Sequence, residues 1–241
     1  MVGVEAGRGA GRRPAAVLFD LHDTLACLAP STDDAMGALV GLSGPAFREA
    51  WREVDRRIAF LAEGGLWPPR HDGRWPARWA ALYGLLVEIL DLDEDPADLA
   101  ARFDALFKTP ASYEAFPDSA GVLAALRDAG LRVGVVSNSD FDLWPVLAHA
   151  GLAGHVEAAV PVLLHGTAKP APEAFALGLE ALRVGPADCW FVGDHLEDDV
   201  AASTRLGMTA ILVDRAGRHA GEVLPFPVVA DLRPVPSMLG L

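Results

Sequence analysis

Four short, largely apolar runs, Ala15–Phe19, Arg132–Val136, Cys189–Val192 and Thr209–Val213, each stop abruptly at Asp, Ser or Gly. Runs of this length with no polar face to offer water predict strands buried on both sides of a parallel sheet. Helical periodicity fills the gaps: Ser119–Ala129 places Val122, Leu123 and Leu126 on one side, and Leu143–His149, Glu173–Leu182 and Val200–Leu206 follow. Strand and helix alternate, which restricts the chain to an α/β fold built on a doubly wound parallel sheet. In such sheets ligands gather beyond the carboxyl ends of the strands, where Asp20, Ser137 and Asp194 would all project.

One stretch breaks the alternation. From about Leu28 to Ala115 no strand is evident and the periodicity is helical, in Pro45–Leu61, Pro76–Ile89 and Pro96–Phe107. The pattern predicts an all-helical insertion over 28–115, with 15–27 and 116–241 forming the sheet core. The middle of the insertion, GGLWPPRHDGRWP, concentrates Gly and Pro and reads as a loop. After Val213 the chain is Pro-rich, with Pro227–Ala230 as a candidate edge strand. Residues 1–14 carry basic side chains but no apolar stretch of signal-peptide length, and predict a disordered tail. No segment approaches the apolar length of a membrane span, so the expected compartment is the cytoplasm. A formal net charge of −13 argues against nucleic acid or an anionic membrane as partner. A chain this acidic that handles an anionic small molecule must focus positive charge locally, through a metal ion or a few Lys and Arg. Cys27 and Cys189 are too few for a disulfide framework and read as buried small apolar residues.

The first strand delivers Val17-Leu18-Phe19-Asp20-Leu21-His22-Asp23-Thr24-Leu25. An Asp and a Thr after a strand also serve as ordinary turn and capping residues, and taken alone this segment supports either reading. Its company narrows the choice: Ser137-Asn138 follows a second strand, Lys169-Pro170 opens a helix, and Gly193-Asp194-His195-Leu196-Glu197-Asp198-Asp199 follows a third strand.

In order, these segments resemble the four motifs of the haloacid dehalogenase-like superfamily, over residues 15 to 215. Phe116-Pro117-Asp118, Lys169-Pro170-Ala171-Pro172-Glu173-Ala174-Phe175 and Leu206-Gly207-Met208 extend the likeness. The resemblance implies a Rossmann-like core under a helical cap that closes over the site and selects the substrate. It implies a Mg²⁺-dependent hydrolase, most simply a phosphatase on a small phosphorylated metabolite, in which Asp20 attacks and forms an aspartyl-phosphate. Ser137 would hydrogen-bond a phosphoryl oxygen and Lys169 would supply a positive point charge, with Thr24 and Asn138 among the substrate-binding residues. The ion would be held by Asp20, Asp194, Asp199 and the backbone carbonyl of His22. Glu197 and Asp198 read as helix N-terminal charges, and His195 as a further candidate site residue.

The sequence departs from the family at His22, where the common phosphatase form has a general-acid aspartate. An imidazole titrating near neutrality can take that role, and Asp23 is an alternative. The departure also keeps a metal-free 2-haloacid dehalogenase under consideration, with Asp20 displacing halide, and a catalytically impaired binding or regulatory module. Substrate selection is assigned to the insertion loop, where Arg70, His71, Arg74, Trp67 and Trp75 can grip an anionic or planar group. In that set Arg74 is the expected substrate ligand; the alternative makes the tryptophans insertion core and the arginines solvated.

Overall fold

The computed structural model describes residues 13–63 and 75–241. The chain enters as β1 (Ala16–Phe19), turns, and leaves through β2 (Ala26–Leu28) into four helices, α1 (Pro30–Leu39), α2 (Gly44–Glu63), α3 (Trp75–Leu90) and α4 (Pro96–Phe107). It returns through β3 (Tyr113–Ala115) and α5 (Ser119–Asp128) to β4 (Arg132–Ser137) and α6 (Trp144–His149). Next come β5 (Ala158–Pro161), α7 (Pro172–Ala181), β6 (Cys189–Gly193), α8 (Ala202–Arg205), β7 (Thr209–Val213), β8 (Val228–Val229) and α9 (Val235–Met238).

Six strands form a parallel sheet in the order β5-β4-β1-β6-β7-β8. Each side chain alternates faces along β1: Val17 and Phe19 pack with Leu123, Leu126, Val146 and Leu147, while Ala16 and Leu18 pack with Ala174, Phe175 and Phe191. All four β1 residues have no exposed surface, which is why this strand reads as an unbroken apolar run. Burying each large side chain contributes about 1.5–3 kcal/mol. The sheet order reverses direction at β1, so the crevice beyond its carboxyl end, flanked by β4 and β6, is where such folds bind ligands.

The helical insertion carries its own core of Met36, Phe47, Val54, Tyr83, Leu86, Leu99 and Phe103. Asp95 starts α4 by accepting a hydrogen bond from Ala97 N at 2.8 Å, with Pro96 in the first helical position.

Several expectations need amending. The stretch 28–115 is not wholly helical, because Tyr113–Ala115 pairs antiparallel with Ala26–Leu28 in a separate two-stranded ribbon. Helix α1 and strand β5 were not anticipated individually. The helix expected at Val200–Leu206 begins earlier, as a π-helical turn over Leu196–Ala201 that runs into α8. Residues 1–12 of the expected tail lie outside the described residues, but Arg13 and Ala15 are tied down, donating to Ala129 O at 2.7 Å and Asp188 O at 2.8 Å. Cys189 is buried as expected, whereas Cys27 is only half-buried, because the ribbon that carries it has one face open. Among the described residues no helix is long and apolar enough to cross a membrane.

Candidate active site

Asp20 follows the last residue of β1, and its amide donates to Val192 O at 2.9 Å, which locks it level with the end of β6. The turn that follows is compact: Asp23 adopts a left-handed φ of 58°, its N–H donates to Ala26 O at 2.7 Å, and the amides of Leu25 and Ala26 both donate to Leu21 O. Asp is among the residues that tolerate such a φ. Thr24 is fully buried, and among the described residues its hydroxyl has no hydrogen-bond partner. Thr24, expected among the substrate-binding residues, thus lies beneath the surface of the turn that follows Asp20.

Lys169 reaches the site from the segment before α7. Its Nζ lies 2.5 Å from Asp20 Oδ1 and 2.6 Å from Asp199 Oδ1, and the side chain is almost completely buried, over the ring of Phe191. Burial by itself disfavours the ammonium, but Asp199 and Asp20 outweigh it and hold the lysine above its ordinary range. Asn138, expected to help orient a substrate, spends both ends of its amide on Lys169. Its Oδ1 accepts from Lys169 N at 2.7 Å and its Nδ2 donates to Lys169 O at 3.0 Å. The geometry makes Asn138 a clamp on the lysine's own peptide group. Ser137, at the end of β4, is buried and shares a hydrogen bond with the Ser139 hydroxyl at 3.0 Å.

The third strand end contributes the acidic side. Gly193 has to be glycine, because a Cβ there would collide with the Asp199 carboxylate. Asp199 Oδ2 accepts from His195 N at 3.1 Å, so this carboxylate closes the turn from which it projects. His195 caps the π-helical turn, its Nδ1 accepting from Asp198 N at 3.1 Å, while Asp198 is buried beneath. Asp20, Asp194 and Asp199 each offer a carboxylate oxygen, and these oxygens lie within 4.8 Å of one another.

Three buried or half-buried carboxylates around one ammonium are electrostatically frustrated. Asp194 is pushed up to about 8, by burial first and then by repulsion from Asp20, Asp199 and Asp23, with Lys169 pulling the other way. Asp20 is raised to about 6, again by burial, partly offset by Lys169 and reinforced by Asp199. His22 stands at the rim, about half-exposed, with Nδ1 3.6 Å from Asp23 Oδ2 and its ring edge-on to Tyr113 at 6.2 Å.

The structure thus brings together Asp20, His22, Ser137, Asn138, Lys169, Asp194 and Asp199 at the carboxyl ends of β1, β4 and β6. Arg74, with Trp67, Arg70 and His71, lies outside the described residues. Sequence reasoning passed over Arg215 and Arg218. The available signal is two arginines two and five residues beyond the end of β7, where ligands of such sheets are met.

A family model for haloacid dehalogenase-like hydrolases matches residues 14–207. A glyceraldehyde 3-phosphate phosphatase of Methanopyrus kandleri is 28% identical over 83% of this chain and 84% of its own. An (S)-2-haloacid dehalogenase of Xanthobacter autotrophicus is 30% identical over 90% of this chain and 85% of its own. In fold, the chain is similar to a HAD-hydrolase from Bacillus subtilis solved with magnesium, with a TM-score of 0.71 at 15% identity, covering 95% of this chain and all of that one. The family model, the relatives and the six-stranded sheet agree, and the chain belongs to the haloacid dehalogenase-like hydrolases.

Proposed function

We propose that the protein is a Mg²⁺-dependent phosphoric monoester hydrolase of the cytoplasm, acting on a small phosphorylated metabolite with Asp20 as nucleophile. The observation that carries this reading is the cluster of Asp20, Asp194 and Asp199 around a single ammonium, which leaves an excess of negative charge. Hard carboxylate oxygens at this spacing fit a small divalent cation, with the His22 carbonyl as a further oxygen donor. Such an ion, when bound, supplies charge neutralisation and Lewis-acid polarisation.

Asp20 attacks phosphorus, the ester oxygen departs, and an aspartyl-phosphate forms; water then attacks phosphorus, returning the carboxylate and releasing phosphate. Lys169 orients Asp20 and offsets charge as two anions approach, from a position fixed by Asn138. Ser137 donates to a phosphoryl oxygen. His22 protonates the departing oxygen and then takes a proton from the attacking water. The helical insertion serves as the cap over residues 28–115. Its foot touches the catalytic loops where Tyr113 meets His22 and Phe141 and where Lys108 lies 2.9 Å from Asp140.

The decisive experiment is metal dependence. Mg²⁺ should raise the melting temperature, and the rise should be larger at about pH 8.5 than at about pH 6, because Asp194 must lose its proton before it can ligate. EDTA should abolish hydrolysis of phosphate esters. A second reading, the metal-free 2-haloacid dehalogenase, draws on the Xanthobacter relative and on the imidazole that stands where the phosphatase pattern has a carboxylate. Full turnover of a 2-haloacid in EDTA, with no hydrolysis of phosphate esters, would establish it instead.

The assignment of His22 has its own test. His22→Ala should lose roughly 10²–10⁴-fold in kcat against an alkyl phosphate, whose leaving group needs a proton, and far less against p-nitrophenyl phosphate. Equal rates with both esters before and after the substitution would transfer the acid role to Asp23.

A further inference from the structure

The described residues place Lys169, Arg215 and Arg218 around the mouth of the site, and the first two are held in place by protein partners. Lys169 is buried between two carboxylates. Arg215 lies over the Phe116 ring, 3.7 Å from its centroid, and donates to Thr24 O at 2.8 Å and Asp118 Oδ2 at 3.2 Å. Asp118 Oδ2 also accepts from Leu232 N, so Arg215 fastens the turn after Asp20 to the C-terminal segment.

Arg218 is different. Among the described residues its guanidinium makes an ion pair with Asp194 at 3.8 Å, beyond hydrogen-bond range, and no hydrogen bond; the side chain is 58% exposed. Its backbone is nevertheless rigid, because the Asp214 carboxylate accepts from Arg218 N and His219 N, both at 2.8 Å. Together with Asp23, Phe116, Asp194 and Arg215 it lines an open cleft of about 180 Å³ beside the acidic cluster. From the insertion side α2 brings Asp55, whose carboxyl is raised by burial and drawn down by the charge of Arg218. Insertion and core therefore meet within electrostatic reach of a cation whose five donors are unspent.

We propose that Arg218 is a specificity-determining residue that receives a second anionic group of the substrate, a carboxylate carried beyond the reacting phosphoryl group; this rests on the phosphatase reading above. The planar fork of a guanidinium matches a carboxylate in two-point contact. A second anion approaching past Asp23, Asp55 and Asp194, in a chain of net charge −13, is repelled unless a cation with open donors meets it. Lys169 is buried against Asp20 and Asp199 and Arg215 is fixed to Thr24 and Asp118, whereas Arg218 is the exposed cation of the cleft lining, placed to choose between substrates that carry the second charge and those that do not.

The test is calorimetric titration of the full chain in Mg²⁺ with two non-hydrolysable probes, phosphonoacetate and methylphosphonate, which differ in the carboxylate. Phosphonoacetate should bind the parent more tightly. Arg218→Ala should weaken phosphonoacetate roughly 10- to 100-fold, the scale of a charged hydrogen-bonded pair. Methylphosphonate should change by less than about threefold, as expected for a screened exposed charge. Arg218→Lys should fall between, keeping the charge and losing the fork. Equal weakening of both probes, or no change in either, overturns the assignment. A parent that binds methylphosphonate but gains nothing from the carboxylate overturns the assignment alone; a parent that binds neither probe overturns the phosphatase reading and this inference with it.

Discussion

Asp20→Asn should lower turnover by more than about 10³-fold, because a neutral amide cannot supply the attacking oxygen on which the covalent step depends. The fold should not suffer at pH 7.5. Burial holds the Asp20 carboxyl at about 6 in the folded chain against its ordinary 3.8, so the folded state binds this proton more tightly than the unfolded state does. Stability associated with a raised carboxyl is present below the unfolded value and falls as pH rises through the folded one, here from 3.8 to about 6. An amide at position 20 escapes that loss, and the metal-free variant should melt at or above the parent at pH 7.5, with the two converging in acid. Melting well below the parent at pH 7.5 would mean that the ion pair with Lys169 outweighs burial, and would recast the lost turnover as partial unfolding.

Lys169→Met carries the opposite stability signature with an equally large loss of activity. Methionine keeps much of the apolar stem that passes over Phe191, but it removes the only ammonium in contact with Asp20 and Asp199 among the described residues. Stripping one partner from a buried ionic cluster costs about 3–5 kcal/mol. The metal-free variant should therefore melt far below the parent near neutrality. The difference should narrow at low pH, where the carboxyls take up protons, and on adding Mg²⁺. Combining Lys169→Met with Asp199→Asn should recover part of the stability and none of the turnover. If Lys169→Met alone melts with the parent, the ammonium does not balance these carboxylates in the way the geometry indicates.

Much of this site was legible because sheet and chemistry share a signal. Phe19, Val136 and Val192 end apolar runs, so the polar residues next in line had to emerge at the strand ends, and Asp20, Ser137 and Asp194 do. What the sequence withheld depends on contacts between distant segments. The roles of Asn138 and Lys169 in one another's placement require two loops 31 residues apart to meet, and nothing local to either encodes it. Strand β5 is short, opens on two alanines and ends in proline, so its apolar signal is weak. Strands β2 and β3 have three residues each and exist only because their partner arrives after the whole insertion. The π-helical turn at Leu196–Ala201 departs from the usual 3.6-residue period, and periodicity recovers only the regular helix beyond it.

That ribbon has a consequence for how the fold can be altered. Leu28 and Tyr113 face one another across a ladder, so the points where the polypeptide leaves the sheet core and comes back are adjacent in space. The four helices between them fill their own interior, and the strands on which Asp20, Ser137 and Asp194 stand pair with one another and not with the ribbon. In topological terms the helices are a cassette: a short hairpin turn joining Leu28 to Tyr113 would close the chain with the sheet order intact. Variation in the length, helix count or chemistry of the cassette can therefore accumulate while the nucleophile, the lysine and the acidic cluster keep their places.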